Sequence, residues 1–211
     1  GIIANAPRRL FAAGLGDALS TWFEARACKN SGARTMARGN VSNTGLMMAR
    51  LCYDLLMEKG RDALAAVERH EVTPALEDVV EATIYLSGLG FENGGLAAAH
   101  AVNDGFAQEP QAHGMYHGEK VAFGTLVQLV LEKAPQEELE QVLAFLRDTG
   151  LPLTLAQLGV KEIVPETLKK VAEAAVVPTQ STKNLRADIT AQEVYDAILE
   201  ADRIGRDYLA R

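Results

Sequence analysis

Apolar residues in this chain recur at steps of three and four, and no segment alternates apolar with polar residues between hairpin turns. That pattern constrains the fold more than any other feature. Between Asp17 and Lys29 the repeating positions are Ala18, Leu19, Trp22, Phe23 and Ala25. A second helical stretch covers Leu46 to Lys59, with Met47, Leu51 and Leu55 expected inward and Gly60 as its stop. Thr73 before Pro74 reads as an N-cap with proline at the first helical position, opening a helix towards Leu86. Gly88 to Gly95 reads as a glycine-rich break, followed by the small apolar stretch Leu96 to Asn103. Lys120 to Lys133 and Glu137 to Asp148 are helices closed by Pro135 and by Gly150 with Pro152. Thr190 and Glu193 form a capping box before a last helix, Ala191 to Leu209. Runs such as Val176-Val177 are too short for strands, and no Pro- or Ser-rich linker divides the chain. The expected fold is an all-α, multi-helix bundle of eight or nine helices, in one domain spanning 1–211.

The 211 residues are ample for a buried core. With 28 acidic and 21 basic side chains the net charge is −7, which argues against a nucleic-acid partner. No apolar run approaches the ~18 residues of a membrane span, so no membrane partner is expected. Cys28 and Cys52 are too few for a disulfide framework and lie in helical patterns, pointing to reduced thiols and a cytoplasmic setting. The chain opens Gly1-Ile2-Ile3-Ala4-Asn5-Ala6-Pro7, without methionine or basic leader, and reads as the tail of something longer.

Four histidines are the main candidates for chemistry. His70, in a charged stretch at a helix end, reads as a solvated residue favoured by the helix dipole. His113 and His117 are four apart, but Gly114 between them weakens a shared helical face. His100 is one polar ring among alanines, either a hydrogen-bonded core residue or a ligand. Small neighbours would let helices close around a metal. His117 stands where a loop enters the Lys120 helix, with Gly118 leaving space beside its ring. Asp17 is the best third ligand. Its bland reading is an N-cap aspartate, and its functional one completes a carboxylate and two-imidazole set that leaves a position for substrate. Spacing alone does not decide between them. Gly88-Leu89-Gly90-Phe91-Glu92-Asn93-Gly94 is not a dinucleotide fingerprint, because its last interval is one residue too long and no strand precedes it.

Three segments carry a family resemblance. Gly88 to Phe106 (GLGFENGGLAAAHAVNDGF) and Tyr116 to Glu132 (YHGEKVAFGTLVQLVLE) resemble the metal-binding core of glycerol dehydrogenases, in the iron-containing alcohol dehydrogenase superfamily. Gly14 to Cys28 (GLGDALSTWFEARAC) is similar to that family's first-ligand helix, and the likeness extends over essentially all 211 residues. It implies the helical C-terminal domain shared with dehydroquinate synthase-like enzymes. By motif the ligands of a catalytic divalent metal, usually zinc, fall on Asp17, His100 and His117. Thr21 stands where iron-type relatives have another histidine, which favours zinc over iron. Phe91 matches a position lining the glycerol pocket. The resemblance further implies NAD-dependent oxidation of glycerol to dihydroxyacetone, and a homo-oligomer, commonly an octamer. It places NAD on an N-terminal α/β domain absent from this chain, so these residues by themselves are expected to bind metal without dehydrogenase activity. Other readings are a glycerol-1-phosphate dehydrogenase-like or dehydroquinate synthase-like enzyme, or a non-catalytic helical scaffold with structural histidines. Lys120 is the only basic residue near the metal motifs, which favours an uncharged polyol.

Overall fold

The computed structural model describes all residues, Gly1 to Arg211, and is helical with no strand beyond an isolated Arg34–Asn40 bridge. Nine α-helices follow in order: α1 (Arg8–Ser31), α2 (Asn43–Glu68), α3 (Pro74–Glu81), α4 (Ser87–Gly94), α5 (Ala98–Gly105), α6 (His117–Glu132), α7 (Gln136–Thr149), α8 (Pro165–Ala175) and α9 (Ala191–Leu209). A π-helical stretch, Ala82–Leu86, joins α3 to α4 without a loop. No helix is long and apolar enough to cross a membrane.

The caps fall where side-chain chemistry calls for them. Thr73 accepts the Leu76 N–H ahead of Pro74, and Thr190 with Glu193 closes the capping box of α9. Gly150 ends α7 in the left-handed region at φ 77°. Helix α1 is the central post, packing against α2, α4 and α6, while α5 lies on α6 and α8, and α9 closes over α6 and α8. A single core of 45 buried residues runs through the bundle, with Phe23, Phe106, Phe123 and Phe145 fully enclosed. Phe106 and Phe123 meet edge-on with ring centroids 6.0 Å apart.

Packing corrects several sequence expectations. Helix α1 begins at Arg8, well before Asp17, because Pro7 starts it. Helix α2 runs through Gly60, which is a contact rather than a stop. A Cβ there would lie 2.9 Å from the Phe145 ring. Met47 and Leu51 point outward, at 66% and 47% exposure, and Ala49, Cys52 and Leu56 take the core face instead. Leu55 is only partly buried against the core. The glycine-rich Gly88–Gly94 is helical, since glycine lets α4 close on α1. A Cβ on Gly94 would meet that of Ala25 at 2.5 Å. Helix α8 adds Leu168, Val171, Ala172 and Ala175 to the core, an element beyond those expected.

Candidate metal centre

Asp17, His100 and His117 arrive from three helices. Asp17 lies in mid-α1, so the N-cap reading fails. His100 is in the first turn of α5, and His117 opens α6. The approach of α6 to α1 is set by backbone contact. A Cβ on Gly118 would fall 1.8 Å from the Ala13 carbonyl oxygen, and one on Gly16 would fall 2.6 Å from that of Gly118. Glu119 fixes the same helix start, accepting the Tyr116 N–H at 2.7 Å and Arg9 Nε of α1 at 2.6 Å. Helix α5 closes on α6 in the same way, because Gly124 faces the Ala99 carbonyl with room for no side chain.

One carboxylate oxygen of Asp17 lies 3.4 Å from Nε2 of His100 and 3.4 Å from Nε2 of His117. The three potential ligand atoms all lie within 4.8 Å of one another. Metal–ligand bonds of about 2.0–2.2 Å in a tetrahedron put neighbouring ligand atoms about 3.3–3.6 Å apart, so both measured edges suit a small divalent cation. The His100 ring is 19% exposed and the His117 ring 54%, which leaves one side of the cluster open to a cleft.

Behind His100 stands Glu24, fully buried on α1. Its Oε2 lies 2.6 Å from His100 Nδ1, and its Oε1 accepts the N–H groups of Ala97 at 2.8 Å and His100 at 3.1 Å. A carboxylate acceptor holds a proton on Nδ1, so Nε2 is the nitrogen turned towards Asp17 and His117 and the one that would exchange its proton for a metal, the arrangement metal-ligating histidines require. Burial works against a charged His100, but Glu24 and Asp17 outweigh it and push its pKa up to about 10. Burial also opposes the charge on Asp17, yet the two imidazoles hold its carboxyl well below the usual range. The donor set, the spacing and the buried carboxylate all fit a divalent metal. The other two histidines take no part. His70 is exposed beyond the end of α2 with Nδ1 3.3 Å from the Ala4 carbonyl, and His113 is exposed against the Ala107 carbonyl. Cys28 and Cys52 are buried and their thiols are pushed up to about 12 by burial, which makes them inert.

Glu24 is the residue that motif reading missed. It stands seven positions after Asp17, which returns it to the same helical face, but an unpaired glutamate in a helix normally signals solvent. The turn that delivers His100 is held as firmly. Gly95 takes φ 89°, the Leu96 carbonyl accepts Asn184 Nδ2 at 2.8 Å, and the Ala97 carbonyl accepts the Ser181 hydroxyl at 2.6 Å.

The cluster opens into a cleft of about 360 Å³. Phe91 and Leu96 form its apolar wall, and Thr21, Thr83 and Ser87 supply hydroxyls. No lysine or arginine lines it, Lys120 included.

No family model matches the chain. A glycerol dehydrogenase from Escherichia coli O6:H1 is 57% identical over 208 residues, covering 99% of this chain and 57% of the relative. The crystal structure of glycerol dehydrogenase from Schizosaccharomyces pombe superposes with a TM-score of 0.95 at 40% identity, over 98% of this chain and 54% of that one. That of a probable glycerol dehydrogenase from Sinorhizobium meliloti 1021 gives 0.92 at 45% identity, over 97% and 57%. The chain thus spans a little over half the length of the proteins it matches.

Proposed function

We propose, from the premise that this chain is homologous throughout its length to the C-terminal part of glycerol dehydrogenases, that it supplies the metal- and substrate-binding half of an NAD-dependent polyol dehydrogenase acting on glycerol. The observation that carries the reading is the Asp17–His100–His117 cluster with Glu24 behind it. Asp17, His100 and His117 would hold the cation, with zinc favoured by two imidazoles and one carboxylate. When bound, it supplies Lewis acidity that makes a substrate hydroxyl easier to deprotonate as hydride leaves the adjoining carbon.

The protein's own contribution is order. Glu24 keeps His100 in the tautomer that presents Nε2, and the backbone contacts at Gly118 and Gly16 fix His117 against Asp17. Phe91 and Leu96 exclude water from the carbon skeleton on one side of the cleft. The absence of a cationic side chain in the lining favours an uncharged polyol over a phosphorylated one. NAD, the hydride acceptor, is assigned to residues outside this helical domain, since none of its helices follows a strand in the βαβ arrangement that cradles a dinucleotide.

Metal analysis tests the reading. Protein dialysed against metal-free buffer should keep one zinc per chain, and Asp17→Ala or His100→Ala should lose it. A wild-type protein that retains no metal after zinc loading returns the histidines to a structural role and defeats the proposal.

A further inference from the structure

Three hydroxyl side chains line the cleft, and they are not equivalent. Thr83 spends its proton on its own helix, donating to the Val79 carbonyl at 2.9 Å, the usual habit of a helical threonine. Thr21 does not follow that habit. The carbonyl it would reach, that of Asp17, is taken by the Ser20 hydroxyl at 2.9 Å. Thr21 Oγ1 instead lies 2.9 Å from Ser87 Oγ, across the contact of α1 with α4.

Proton accounting makes the pair unusual. Two hydroxyls bring two protons and the bond between them uses one, whichever group donates. Neither oxygen has another protein partner, so one O–H and several lone pairs remain to be satisfied. Thr21 is 3% exposed, and both residues line the same cleft as Asp17, His100 and His117. The leftover donor and acceptors match an alcohol, which also donates and accepts. A carboxylate would gain only the one donor and would lie near the Asp17 charge.

We infer that the Thr21–Ser87 pair recognises a further hydroxyl of the substrate, beyond those engaged at the metal, and so selects a vicinal triol over a diol. This rests on reading the cleft as a polyol site. The test compares glycerol with 1,2-propanediol, which lacks that hydroxyl, by amide chemical-shift titration of the zinc-loaded chain. A neutral hydrogen bond of about 0.5–1.5 kcal/mol corresponds to about twofold to twelvefold in affinity. Wild-type protein should bind glycerol more tightly than the diol by a factor in that range. Thr21→Val keeps the methyl that packs on Gly90 and exchanges the hydroxyl for a second methyl, and Ser87→Ala deletes the partner's hydroxyl. Each should bring glycerol to the diol's affinity, leave the diol within twofold, and keep one zinc per chain. The double variant should bind glycerol no more weakly than either single one. Unchanged glycerol affinity in the variants, or a parallel fall for both alcohols, overturns the inference while leaving the polyol reading intact. Wild-type protein that holds zinc but binds neither alcohol overturns both.

Discussion

Glu24→Gln isolates the part of the candidate centre that touches no substrate. The carboxylate receives three hydrogen bonds, from His100 Nδ1 and from the backbone N–H groups of Ala97 and His100, and it is fully buried. Glutamine keeps the shape but replaces one acceptor oxygen with a donor NH2. Either the ring or the backbone pair must then face a donor. A buried donor left without a partner costs about 1–3 kcal/mol. The ring can escape by moving its proton to Nε2, but that removes the lone pair a metal needs. Both routes lead to weaker metal binding, and loss of such a supporting carboxylate lowers affinity by about 10- to 100-fold. The assay is competition with a chromophoric chelator at fixed pH, with thermal unfolding of the metal-free protein as the control for folding. Zinc affinity within twofold of wild type in a folded Glu24→Gln protein would show that Glu24 does not orient His100.

Two further outcomes follow from the packing and the caps. Gly118→Ala places a methyl 1.8 Å from the Ala13 carbonyl, at the severe end of overpacking costs of about 1–3 kcal/mol. Calorimetry should show a Tm drop of several degrees together with weakened zinc binding, whereas Gly88→Ala, with open space around it, should leave Tm level or raised. Glu193 is held at about 2 by the Thr190 backbone and hydroxyl and by Arg186. A depressed carboxyl pKa contributes stability above the unfolded value near 4.5, and that contribution is lost as pH falls towards 2. Glu193→Gln should therefore flatten the pH dependence of Tm in that window and leave it unaltered above pH 6. A slope unaltered by the substitution would show that the cap does not couple to folding.

The fold class and the three clustered residues were legible because each has a signature that survives without coordinates. Helical spacing, capping residues and the three motifs around Asp17, His100 and His117 are local. What was illegible depends on partners distant in sequence. Gly60 looks like a stop until Phe145 is seen against it, and the glycines of α4 look like a break until α1 is placed beside them. Met47 and Leu51 sit on a helix apolar on several sides, where only neighbours choose the inward face. Glu24 is harder still. Its environment is made by Ala97 and His100, more than seventy positions away, and nothing adjacent to it in sequence marks it as buried.

The π-helical stretch Ala82–Leu86 has an evolutionary consequence. A π turn holds one residue more than the α turn it replaces, and each residue advances a helix by about 100°. Ser87 faces Thr21 because that surplus has already been absorbed upstream. Deleting a single codon in this stretch would remove the surplus and restore an even helix with Ser87 still facing Thr21, whereas the same deletion from the regular α4 would rotate every later side chain by about a quarter turn. The π stretch is therefore where this helix can lose a residue, by a frame-preserving deletion, and keep the Thr21–Ser87 pair.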